Sequence, residues 1–235
     1  MAKRATAPTH LDLNGRTVPF SIRKVARARR MTLRVDAAAD GVGLTLPRWV
    51  SIDEGLRFVE TKRGWLESRL ARLPPRTAIA HDAAVPILGV PHRIRHCADA
   101  LPFVWQAEGE LRVGGPADTM SMRVLAWLRE QARAEIPRRA AEKAARIGLG
   151  PPPVGLRDTR SLWGSCSPRG RLSFCWRLVM APESVLDYVV AHEVAHLRHL
   201  NHGKRFWALV ETLTGDIDAA RAWLNREGPG LHRFG

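Results

Sequence analysis

Acidic residues are scarce in this chain: 23 aspartates and glutamates face 37 lysines and arginines, a net charge of +14 over 235 residues. Cysteine is scarcer still. Cys97, Cys166 and Cys175 are too few and too scattered for a disulfide framework; Cys166 and Cys175 have the spacing to face each other across a hairpin and are expected to remain thiols. No apolar run approaches the roughly 20 residues that span a bilayer, so a membrane partner is not expected. Residues 1–8 lead into no apolar core of the signal-peptide kind, which predicts a cytoplasmic protein. A Gly-rich phosphate loop is also missing, which weakens any nucleotide-hydrolysing reading.

What remains is an ordinary globular composition, 45% hydrophobic and 26% charged, long enough for one large domain or two small ones. Residues 1–117 carry 19 basic and 11 acidic groups and residues 118–235 carry 18 and 12, so both halves are basic. The densest cluster is Arg23, Lys24, Arg27, Arg29, Arg30 and Arg34, uninterrupted by an acid. Such a stripe can concentrate nucleic acid or another polyanion, though a solvated strand face explains it as well. No aromatic residue interleaves with it, which argues against stacking on single strands.

The first half reads as β-rich. Leu11–Leu13, the Asn14-Gly15 turn and Thr17–Ile22 predict a hairpin, followed by strands at Met31–Val35 and Gly43–Leu46. Ser51 with Glu54 three residues on predicts a capped helix running toward Leu73 and stopped by Pro74-Pro75. Four short strands come next, around Val85–Leu88, His92–His96, Phe103–Gln106 and Glu110–Val113. Gly114-Gly115-Pro116 is the expected boundary between residues 1–115 and 116–235. Beyond it, Met120–Ile147 predicts a long helix kinked at Pro137, then strands at Val154–Thr159 and Arg171–Arg177. Two closing helices and a loose tail from Gly228 complete the expectation, an α+β chain.

Chemistry concentrates in residues 186–203. His192-Glu193-Val194-Ala195-His196 places two imidazoles four apart, hence one turn apart on one helix face. Both can reach one divalent cation at about 2.0–2.1 Å, and Glu193 can act as general base on a water held there. Val185, Leu186, Val189, Val190, Ala191, Val194, Ala195, Leu197 and Leu200 make the helix apolar nearly all round, so it should be buried. Buried ionisable groups need partners, and a metal satisfies them together. His202, six residues after His196, sits in an Asn201-His202-Gly203 corner where a helix is expected to end; a chain turning there returns it to the metal. Glu211 is the alternative third ligand, and His199 is expected off the metal. Three protein ligands and one open position make a catalytic zinc site.

Trp163-Gly-Ser-Cys-Ser167, Trp176-Arg-Leu178, Ala181-Pro182, Tyr188-Val-Val-Ala-His-Glu-Val-Ala-His-Leu197 and Asn201-His-Gly-Lys-Arg-Phe-Trp207 resemble the YgjP-like metallopeptidases, relatives of the SprT and WLM zinc proteases. The resemblance implies a zincin-like catalytic domain in residues 116–235 with a small mixed sheet. It also implies a His192, His196 and His202 triad and Glu193 as base. Leu162 stands where the family is expected to carry an arginine.

Strand 171–177 is expected to be the edge strand beside the zinc, offering ladder groups at Ser173 and Cys175 to an extended peptide. The Trp163, Gly164, Ser165 and Cys166 turn should shape the rim, and a rim role for Cys166 is favoured over a nucleophilic one. The leading expectation is a zinc-dependent peptidase acting on peptides or proteins. Its rivals are a zinc hydrolase of nucleotides or other phosphate compounds and a protease acting on proteins bound to nucleic acid.

Overall fold

The computed structural model describes residues 8–235, so the reading of the N-terminal segment falls largely on residues 1–7, outside the described part. Among the described residues, seven α-helices and three small mixed sheets make an α+β fold. It forms two compact units, one ending at Pro75 and one spanning Arg76–Gly235. No helix among the described residues is long and apolar enough to cross a membrane.

The first unit contains β1 (His10–Leu13), β2 (Arg16–Val25), β3 (Thr32–Asp36), β4 (Gly41–Pro47), α1 (Ile52–Thr61) and α2 (Arg63–Ala71). Asn14 and Gly15 both take the left-handed conformation (φ 53° and 72°) that a two-residue hairpin requires. The strand order is β1-β2-β4-β3, with β2 and β4 parallel. Val18, Phe20, Val42, Leu44 and Leu46 point to one face, which meets Val59, Leu66 and Leu70 of the two helices, while Thr17, Ser21, Gly43 and Thr45 beside them are half-buried or exposed. The helix expected from Ser51 is there, capped by the Ser51 hydroxyl accepting from the Glu54 N–H at 3.1 Å. It is broken at Lys62 into two helices.

In the second unit β5 (Ala84–Ile87), β6 (Val90–Cys97), β7 (Val104–Ala107) and β8 (Glu110–Gly114) repeat the same order, β5-β6-β8-β7. The Gly114–Pro116 turn lies inside this unit, because the sheet shares its core with residues further along the chain: Val85, Ile94 and Leu111 pack in one cluster with Val124, Leu128 and Val179. α3 (Met120–Arg146) runs continuously through Pro137. It buries Val124, Leu128, Ala132, Ile136, Ala140 and Ala144, a stripe spaced four residues apart.

β9 (Val154–Arg157), β10 (Gly164–Cys166) and β11 (Leu172–Cys175) form the third sheet, in the order β10-β11-β9. A 3-10 turn at Trp176–Met180 leads into α4 (Glu183–Ala195), α5 (Lys204–Leu213), α6 (Ile217–Arg226) and α7 (Gly228–Leu231). The tail expected to be loose is packed instead. Leu231 and Arg233 are buried, and the Arg177 guanidinium donates to the carbonyls of Leu231 and Phe234 at 2.9 and 3.2 Å. Composition alone hides this, because the partner of a Gly- and Pro-rich tail lies more than fifty residues away.

Candidate metal centre

α4 is buried nearly all round: Val185, Leu186, Val189, Val190, Ala191, Val194 and Ala195 are each at most 4% exposed. The helix ends at Ala195, earlier than the Asn-His-Gly corner suggests, and His196 is its C-cap. Leu200, expected on the buried face, is 72% exposed because it lies in the turn beyond the helix. That turn carries His202 back. The ligating atoms of His192, His196 and His202 lie within 4.8 Å of one another, and this is the grouping of metal-binding type among the described residues. Glu211 is exposed on α5 and outside it.

The donor set fits a divalent cation. His202 Nε2 lies 3.1 Å from His192 Nε2. Two nitrogens bound tetrahedrally at 2.0–2.1 Å stand about 3.3 Å apart, so little movement is needed. The His196 Nδ1 donates to the His199 carbonyl at 2.9 Å, which leaves the Nε2 lone pair free. Burial, then the neighbouring His196 and His202, holds the His192 pKa down to about 4, so its imidazole is neutral and able to ligate. His202 is likewise shifted down by burial and by His196. Phe206, from α5, packs its ring 4.6 to 4.9 Å from the three imidazole centroids and limits their rotation. His199 contributes its carbonyl and stays outside the group with its ring.

Glu193 is 6% exposed, and burial raises its carboxyl pKa to about 7. It lies directly against β10. A Cβ added at Gly164 would meet Glu193 Cγ at 2.5 Å and Oε1 at 2.7 Å, so only glycine leaves room for this carboxylate. Sequence spacing marked both residues but not their contact.

The edge-strand expectation is corrected here. β11 is the central strand, antiparallel to β10 on one side and parallel to β9 on the other, so Ser173 and Cys175 have no free ladder groups to offer. Cys175 is fully buried, and neither residue lines the cleft. The edge is β10. Cys175 N–H donates to Trp163 C=O and Ser167 N–H to Arg171 C=O, both at 2.9 Å. By the alternation of an antiparallel ladder, the backbone groups of Gly164 and Cys166 therefore point outward. The reversal arises because β9, far away in sequence, pairs with the strand expected to be exposed. Cys166 stands opposite Leu172, not opposite Cys175.

A cleft of about 490 Å³ opens along this edge, lined by Trp163, Gly164, Ser165, Cys166, the three histidines and Glu193. Leu162, Tyr188, Val189, Leu200 and Leu224 complete it, and no lysine or arginine is among the lining residues. Trp163 is held from behind by the tail, its ring stacked on His232 at 5.2 Å. Burial and then Glu193 push the Cys166 thiol pKa up, opposite to what an activated nucleophile needs. Sequence reasoning missed Tyr188 and Leu224 as lining residues. Tyr188 carried a signal, since it precedes His192 by four residues and so shares its helix face.

A family model described as the YgjP-like metallopeptidase domain matches residues 29–227. No curated protein and no solved structure matches the chain.

Proposed function

The chain belongs to the YgjP-like metallopeptidase family, and from the geometry of its cleft we propose a zinc-dependent peptidase in which His192, His196 and His202 hold the metal and Glu193 is the general base. When bound, zinc supplies Lewis acidity toward a carbonyl oxygen and a water molecule. The carboxylate of Glu193 takes a proton from the attacking water and delivers it to the departing amine. The observation that carries the reading is geometric: the buried Glu193 carboxyl lines the same cleft as His192, His196 and His202, whose ligating atoms converge within 4.8 Å. The outward N–H and C=O groups of Gly164 and Cys166 pair with an extended substrate backbone, which adds to β10 as a further strand. Trp163, Ser165 and Cys166 form its rim.

The phosphate-ester alternative finds no cationic side chain in the cleft lining to take an anion. Metal analysis combined with peptide-library cleavage tests the proposal. Wild type should hold about one zinc and cut peptides, whereas Glu193→Gln should keep the zinc and lose roughly 10²- to 10⁴-fold in turnover. An active Glu193→Gln protein would overturn the mechanism.

A further inference from the structure

The sheet of the first unit brings together groups that are separate in sequence. β2 and β4 run parallel, with Lys24 beside Leu46 and Val25 beside Pro47, so both strands exit at the same end. β3 is antiparallel to β4, with Thr32 beside Thr45, so the segment 26–31 entering it lies at that end too. Lys24, Arg27, Arg29, Arg30 and Arg48 are thereby gathered at one end of the sheet with Trp49, which is 69% exposed. The face turned from α1 and α2 carries two adjacent rows: Arg34, Gly43, Ser21 and Thr32, Thr45, Arg23. They make a small-residue floor with Arg34 at one side and Arg23 at the other. None of the seven cations makes an ion pair among the described residues.

We propose that this surface binds single-stranded nucleic acid, with the cations on the phosphates and Trp49 stacked on a base. Six of the seven cations are arginine, whose planar fork pairs with phosphate oxygens in a bidentate way that an ammonium cannot match. An exposed indole has a free face only for a base that is not already stacked in a duplex. The exposed apolar area here is confined to Trp49 and part of Val25, too small to anchor the unit in a lipid interface. The proposal is independent of the peptidase reading, because every residue it uses lies outside the cleft.

The test is fluorescence anisotropy on the full chain with a labelled oligonucleotide of about a dozen nucleotides, the range an aromatic-and-basic surface of this kind covers. The same sequence as duplex and anionic phosphatidylserine vesicles are the comparison probes. The single strand should bind best. Arg27→Ala/Arg30→Ala should weaken it and reduce the slope of log K against log salt by about 1.4. Trp49→Ala should weaken it roughly tenfold with the salt slope unchanged. Arg69→Ala/Arg72→Ala removes the same charge from α2 and its C-cap and should change little; melting curves check that every variant is folded. Equal losses from both arginine pairs would overturn the proposal in favour of net charge alone. Duplex binding as tight as single-strand binding with Trp49→Ala neutral, or response to vesicles only, would overturn it as well.

Discussion

The two four-stranded sheets share one strand order but differ in how far their arginines are paired: in the first, Arg16 lies 3.8 Å from Asp40 while Arg23 and Arg34 stand apart from acids among the described residues. In the second unit, Arg95 reaches Asp82 and Glu110 at 2.8 Å each, Arg112 reaches Glu108 at 2.6 Å, and Arg93 lies 3.9 Å from Asp82. In the first unit, Arg23 and Arg34 occupy strands of the same kind and meet no carboxylate among the described residues. The same topology is thus compatible with a self-neutralised surface and with an open cationic one. Topology sets which positions face outward; side-chain choice at those positions sets what they can attract. The contrast extends beyond the sheets. The second unit also buries Arg139 and Lys143 against Glu135, Glu183 and Asp187, and brings its histidines onto one another.

If the ionisable groups of the second unit work as interlocked sets, the largest response belongs to the three histidines proposed to hold the metal. His202→Ala should remove nearly all bound zinc by elemental analysis, while Glu211→Ala and His199→Ala leave it in place. Retained zinc in His202→Ala together with its loss in Glu211→Ala would transfer the third ligand to α5. A smaller effect is expected from Gly164→Ala. The new methyl group displaces Glu193 and not the histidines, so kcat should fall about 10²-fold with metal content unchanged. Unchanged turnover would separate Gly164 from the positioning of Glu193.

The smallest effect compares the sheets directly. Arg95→Ala should lower the melting temperature, and Arg34→Ala should not. Pairing with Arg95 lowers the Glu110 pKa below its ordinary value, so this contribution is present at neutral pH and is lost as pH falls through that lowered value. Wild type and Arg95→Ala should therefore converge in acid. A constant difference down to low pH would show that Arg95 acts by packing alone.

Local signals carried the first unit well. The Asn14-Gly15 turn, the alternation of β2 and the Ser51 cap each depend on residues within a few positions, and each expected element is there. The break at Lys62 was not legible, since nothing in the run from Ser51 to Leu73 forbids a continuous helix. In the second unit, the four-residue histidine spacing made the face of α4 legible, and the apolar residues around it made its burial legible.

By itself, then, the sequence determined most of the strands and helices, the placing of His192 and His196 on one helix face with Glu193 beside them, and the cationic stretch from Arg23 to Arg34. Each arises from the fixed periods of helix and strand, which act over a few residues. Only the tertiary structure decided that β10 and not β11 is the edge, that Gly164 makes room for Glu193, that the tail braces Trp163, and that Trp49 joins the cations. Those outcomes depend on pairings between segments far apart in the chain, such as β9 with β11 and β2 with β4, and local periodicity does not encode which distant strand will be the neighbour.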